Sequence, residues 1–340
     1  MRQRFWMVLR WCVLLLFVGF ALSWITARSA LDELDEAVAQ GDFGHALPGW
    51  KRLGLNVAAQ VLPLRQPGAA LIREGRVFRD CDDCPEMVEV QPGYALIGSP
   101  LIEVRRYTHI FAHSPFLRQL KYINREGPRR LVRIRHGFAL SRFELTLAEW
   151  DRAQDDPDWE KITGRAARKA VWPEGATPDT VINTINQHDA RAFAAWLSAR
   201  SGRHYRLPTE AQWAYAAASG ATTSYPWGDN IGVDNATCAE CSDIRTGGRP
   251  GKVGLHAPNG YGIHDMIGNA WEWVEDCFVP WHDEALEEGE AHVIDACDYG
   301  VVRGGGAGVE PWQLRTSIRV GPHANNADAG ATLRLLREME

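Results

Sequence analysis

The chain opens on an apolar run. Arg2, Arg4 and Arg10 precede the stretch 11–25, and from Phe5 onward only Arg10 interrupts the apolar residues. Positive charge ahead of roughly 15–20 apolar residues is the pattern of a signal sequence or a signal anchor. Arg10 can snorkel to the headgroups, which lengthens the usable span. The pattern predicts an uncleaved transmembrane helix over 1–26. The weak small-x-small flank Ala27-Arg28-Ser29 offers cleavage as the alternative. With the positive residues inside, the rest of the chain faces the periplasmic side of the cytoplasmic membrane.

Past that run the period becomes that of an amphipathic helix. Leu31, Leu34 and Val38 recur at helical spacing and Gly41 can close the turn. Ala46, Leu47 and Trp50 then face inward, with Lys51 and Arg52 outward. Residues 27–62 read as a short helical stalk, one tetratricopeptide-like helix pair, too little for a solenoid. Pro63, Pro67 and Gly68 mark 63–77 as a linker. Apolar runs at 87–90, 94–97, 130–134 and 138–140 predict strands. The basic, aromatic stretch between 101 and 126 reads as a surface insertion. Thr146-x-x-Glu149 and Thr209-x-x-Gln212 are capping boxes ahead of Trp150 and Trp213. Asp189 is placed to cap a helix over 190–200, with Phe193, Trp196 and Leu197 as its inward stripe and Gly202 at its end. The remainder is short apolar runs between Gly and Pro turns. The domain over 78–340 is therefore predicted to be α+β, irregular and loop-rich.

Composition narrows the class. At 340 residues, 45% hydrophobic and 24% charged, the chain is too apolar for disorder. A formal charge of -6 gives no electrostatic reason to bind nucleic acid. Of the 7 cysteines, Cys12 lies in the apolar run. The other six form an even set on the oxidising side of the membrane. Cys81/Cys84 and Cys238/Cys241 are C-x-x-C pairs, readable as local disulfides, a four-cysteine zinc site, a redox pair or crossed disulfides. His109 and His113, four apart, read as loop residues ahead of ligands.

The motifs are more specific. Residues 205–219 read YRLPTEAQWAYAAAS, 225–229 read YPWGD, 258–276 read PNGYGIHDMIGNAWEWVED, and 302–306 read VRGGG. With the opening FRDCDDCPEM at 78–87, this ordered set resembles the formylglycine-generating enzyme family, the sulfatase-modifying factor domain, a variant of the C-type-lectin fold. The resemblance covers about 78–337. It implies calcium held by Asp265, Gly268, Ala270 and Glu272, the middle two through backbone carbonyls. The alternative at Glu272 is a bond to turn amides or to an arginine. A second, poorer calcium match falls near Thr237, Cys238 and Asp243. The resemblance also pairs Cys277 with Cys297, closing a polar loop.

One absence outweighs these matches. The family's oxidase chemistry uses two cysteines just beyond the Gly-Gly turn, as thiolate ligands of copper. Here that segment is GAGVEPWQLRT at 306–316, and no cysteine follows Cys297. Formylglycine-generating activity and copper are therefore not expected. Histidines scattered along the chain, with no accompanying bundle, do not suit the iron-dependent sulfur–carbon branch of the fold. The expected function is a membrane-anchored extracytoplasmic binding or scaffold module with a membrane or periplasmic protein partner. Its contact face would include Trp312, Arg315, Arg319, His323 and Asn325, with core packing and a structural ion pair as the alternative for Trp312 and Arg319. The competing expectations are an enzyme or maturation factor with a redeployed pocket in a periplasmic pathway, and a glycan-binding module.

Overall fold

A computed structural model describes residues 2–62, 64–100, 103, 125–241, 247–279, 289–294 and 297–339, with the backbone alone for 2–17. His109, His113, Asp243 and most of the stretch 101–126 lie outside the described residues. Helix α1 (Arg2–Ala39) is continuous, and α2 (Gly49–Ala58) folds back against it. Among the described residues no helix is long and apolar enough to cross a membrane. Most of the expected span falls on 2–17, whose side chains are not described.

The domain is built on three sheets. Strands β1 (Val77–Phe78), β2 (Met87–Val90), β5 (Phe138–Ser141), β6 (Tyr205–Arg206) and β11 (Leu336–Glu338) form one sheet in the order β1-β2-β5-β11-β6. Strands β7 (Trp271–Cys277), β8 (Gly300–Arg303), β9 (Arg319–Val320) and β10 (Ala331–Leu333) form a second, in the order β10-β7-β8-β9. The pair β3 (Gly93–Ile97) and β4 (Arg130–Ile134) is the third. Strand β10 is parallel to β7 and the other pairs are antiparallel. The four sequence-predicted strands appear with ends shifted by at most one residue.

Among the described residues four further helices cover the sheets: α3 (Leu147–Gln154), α4 (Trp159–Thr163), α5 (Gln187–Ser201) and α6 (Glu210–Ala218). Period-2 alternation splits β5 between two cores. Ala139 faces an aromatic cluster of Trp150, Trp159, Phe193 and Trp196, while Phe138 and Leu140 face Trp213 of α6. Thr146–Glu149 and Thr209–Gln212 form the capping boxes expected of them. Helix α5 differs. Asn186 is its cap and Asp189 sits at N3, where its carboxylate accepts from the Asn186 amide at 3.2 Å to complete a capping box and also pairs with Arg165 at 2.6 Å and Arg168 at 2.8 Å. Gly202 ends α5 in the left-handed region, where a side chain would strain the backbone.

The expected stalk is helical but does not stand free. Leu31, Leu34, Leu55 and Ala58 pack on Tyr94, Leu96 and Leu131, the outer face of the β3–β4 pair. The expected linker is also tied down. Buried Gln66 accepts from Leu96 N and donates to Leu96 O, acting as a third strand edge in one side chain.

Candidate functional site

The turn leading into β7 orders the centre of the domain. Asp265 (φ 54°), Gly268 (φ 90°) and Asn269 (φ 60°) occupy the left-handed region. At 268 only glycine fits, since a β-carbon would stand 2.6 Å from Thr237 O. The turn points Asn269 Nδ2 and the Ala270 amide at Glu144, at 2.9 and 3.2 Å. Burial first, then the charges of Asp265 and Glu272, push the Glu144 carboxyl well above the usual range. Burial likewise raises Asp265, although Gly254 N donates to it at 2.5 Å.

Asp265, Gly268, Ala270 and Glu272 thus lie on one turn, but they do not fit a calcium ion. Arg334 donates to both Glu272 oxygens, at 2.8 and 3.1 Å, and Trp213 Nε1 donates at 2.6 Å. Arg334 is in turn fixed by Ser141 O and His264 O, and both members of the pair are buried. A divalent cation at Glu272 would sit against an immovable guanidinium, the opposite of the electrostatics calcium needs. Among the described residues no group of three or more His, Cys, Asp or Glu side chains could hold a metal.

The expected contact face is corrected in the same way. Arg315 and Arg319 are buried, not displayed. Arg319 makes a bidentate pair with Glu210, at 2.7 Å on each oxygen. Arg303 adds a third bond to Glu210 at 2.9 Å, and Asp276 accepts from the Glu210 amide at 2.6 Å. Arg315 pairs with Glu126 and Glu103 and donates to Trp312 O. Trp312 is half-buried, while His323 and Asn325 are exposed, with His323 set edge-on to Tyr299.

Where the family places its chemistry, Gly306 and Ala307 are buried and Gly308 is exposed. Gly304 (φ 91°) and Gly305 (φ 86°) turn the chain, and buried Ala307 donates its amide to Asn269 O at 2.8 Å. Gly306 lies against Trp271, and Gly308 against the Gly248 backbone. The six cysteines outside the N-terminal run are joined as Cys81–Cys84, Cys238–Cys241 and Cys277–Cys297.

Open cavities lie elsewhere, one of about 620 Å³ between Arg206, Glu275 and Glu338 and a second beside the Cys81–Cys84 loop. A cleft of about 490 Å³ runs between the Cys81–Cys84 loop and α3, within the usual size of small-ligand sites. Arg79, Asp82, Glu86, Arg152, Asp179 and Lys252 form its rim. Arg79 and Glu86 pair with each other, and Arg152 reaches Asp83 O. Asp82, Asp179 and Lys252 are exposed and carry no ion pair among the described residues. Glu144 and Glu149 line its inner wall. A narrow throat of about 20 Å³, room for a water, continues inward between Phe193, Trp196 and Leu333. The sequence reading missed this cleft, which draws on separate segments of chain. The FRDCDDCP motif at its rim was the one signal available.

Fold and motifs together define the class. The chain belongs to the family of the sulfatase-modifying factor enzyme 1-like domain, which matches residues 74–339. The hercynine oxygenase of Mycobacterium tuberculosis is 27% identical over 245 residues, 63% of this chain and 55% of that protein. The formylglycine-generating enzyme of the same organism is 42% identical over 136 residues, 36% of this chain and 44% of that one. The chain spans about half the length of the curated relatives it matches. Among solved structures, PvdO from Pseudomonas aeruginosa superposes with a TM-score of 0.64 at 27% identity, covering 78% of this chain and 99% of that one.

Proposed function

We propose that this chain is a membrane-tethered, extracytoplasmic binding module that keeps the family fold without its copper–thiolate oxidation. The carrying observation is the pairing of all six cysteines outside the N-terminal run, which leaves the domain no thiolate for a soft metal or a substrate sulfur. The burial of Gly306 and Ala307 just past the Gly-Gly turn supports the same reading. The tether rests on the arginine-flanked run 11–25 and on the exposed apolar residues that end it, Phe20, Leu22 and Ile25. The cleft beside Cys81–Cys84 is the ligand site of this reading. The unpaired carboxylates Asp82 and Asp179 select a cationic head, and the apolar throat admits only a short group.

Thiol counting on the full chain in detergent tests the carrying observation. Without reductant, denatured protein should release one reactive thiol, Cys12, and after reduction seven. It should form no formylglycine on a cysteine peptide with Cu(I) and oxygen. Three or more free thiols, or turnover, would sink the reading. Crosslinking in membranes should capture a protein partner. A clean monomer there would remove the scaffold role and leave small-ligand binding.

One feature favours an enzyme instead. Glu144, a carboxyl held toward its neutral form on the cleft wall, is a proton donor by position. Stoichiometric iron or copper in the purified chain, with turnover of a substrate bound in the cleft, would establish that alternative.

A further inference from the structure

Helix α2 presents three distinct sides. Leu55, Ala58 and the adjoining Ala59 are buried against α1 and the β3–β4 pair. Asn56 and Gln60 are pinned to β4, through bonds to Leu131 N and Arg129 O. The third side is apolar and open. Trp50 is 64% exposed, Leu53 66%, Val57 50%, and Val61 just past the helix 42%. Their spacing of i, i+3, i+7 and i+11 puts them on one stripe. A stripe of four large apolar side chains in water is not what helix packing alone would leave.

The direction of α2 indicates what covers it. Lys51 pairs with Glu33, whereas a β-carbon on Gly54 would collide with Thr26. Helix α2 therefore runs antiparallel to α1, and its C-terminal end heads toward the apolar end of α1. There α1 itself exposes Phe20 at 48%, Leu22 at 59%, Trp24 at 46% and Ile25 at 57%. The open end of the α2 stripe and these residues of α1 therefore lie at the same end of the helix pair. The exposed indole of each helix has a cation beside it: Arg28 lies 5.6 Å from the Trp24 ring centre, and Lys51, itself paired with Glu33, 5.6 Å from the Trp50 ring centre. Trp beside a basic residue is the side-chain chemistry of the membrane–water boundary, apolar body below and charge above.

We propose that α2 is a membrane-surface element, its Trp50-Leu53-Val57-Val61 stripe set into the headgroup–acyl boundary beside α1. The domain is thereby held against the bilayer in a fixed orientation, since α2 is bonded to β4. The occupant is lipid rather than protein because the stripe runs toward the apolar end of α1 and the helix pair carries an exposed indole with a cation beside it on each helix. This inference rests on the tether proposed above.

Spin labels on the full chain in phosphatidylcholine–phosphatidylglycerol nanodiscs test it. Single cysteines replace Phe20, Leu53, Val57 or Val233 in a Cys12→Ser background. All four positions are exposed, and Val233 serves as the water-facing reference at 71% exposure. The expected result is that labels at 20, 53 and 57 collide more with oxygen than with a water-soluble nickel chelate, with the order reversed at 233. Lipid contact at 20 but nickel access at 53 and 57 would overturn the inference and leave the tether standing. Shielding of 53 and 57 from both relaxers would overturn it in favour of a protein partner or a second copy. Nickel access at 20 as well would overturn the tether and the inference together.

Discussion

Two regions of this molecule are rich in charge and do opposite things. Beneath the turn into β7 and the strands around it, Glu272–Arg334, Glu210–Arg319–Arg303 and Glu126–Arg315 are buried and bonded to one another. Around the Cys81–Cys84 loop, Asp82, Asp179 and Lys252 are exposed with no charged partner among the described residues. The first region resembles an active site in a list of residues and is a set of structural clamps. The second is unremarkable in such a list and has both the volume and the uncommitted charge to bind. Charge content does not mark a site here. Whether each charge already has its counter-charge does.

The largest break in this comparison should come from stranding a buried anion. Arg334→Met leaves Glu272 buried without its guanidinium, which should cost about 3–5 kcal/mol, read as a fall in the urea midpoint. If Arg334→Met is nearly neutral, Glu272 is not clamped and the calcium reading returns. Next is the covalent tie. Replacing Cys277 and Cys297 by serine releases a 20-residue separation and should cost about 3 kcal/mol. The two local pairs close far shorter loops and should cost less.

A pH series sharpens the comparison further. Burial, and then the charge of Glu210, raise Asp276 from 3.8 to about 7. Between those values the folded state holds a proton that the unfolded chain has released. Stability present at pH 4 should therefore decline as pH rises toward 7, the reverse of the usual salt-bridged aspartate. Glu144 and Asp265, also raised, act in the same direction. Midpoints at pH 5 and 7 should differ less in Asp276→Asn than in the parent chain. The smallest effect on folding should fall on the cleft. Asp82→Asn with Asp179→Asn should change stability by under about 0.5 kcal/mol, yet weaken binding of agmatine or phenethylamine in a thermal-shift titration. Equal shifts in both proteins would remove those carboxylates from the ligand site.

Much of this was legible in the sequence because it is local or ordered along the chain. A capping box spans four residues, so Thr146–Glu149 and Thr209–Gln212 declare themselves. The block order from 205 to 306 carries the family, and a missing thiol after Cys297 is a fact no fold can alter. What the tertiary structure alone decided are pairings across long separations. Glu272 meets Arg334 from 62 residues away, Arg319 meets Glu210 from 109, and Arg315 meets Glu126 from 189. Those contacts give Glu272 and Arg319 the ion pairs that the sequence offered only as alternatives, and place Arg315, expected on the contact face, in the core. The Asp189 carboxylate, expected as the α5 cap, instead completes a capping box from N3 and also takes Arg165 and Arg168 from 24 and 21 residues away. The physical reason is common to all of them. A carboxylate's role is set by the charge that reaches it, and only the folded chain brings that charge within 3 Å.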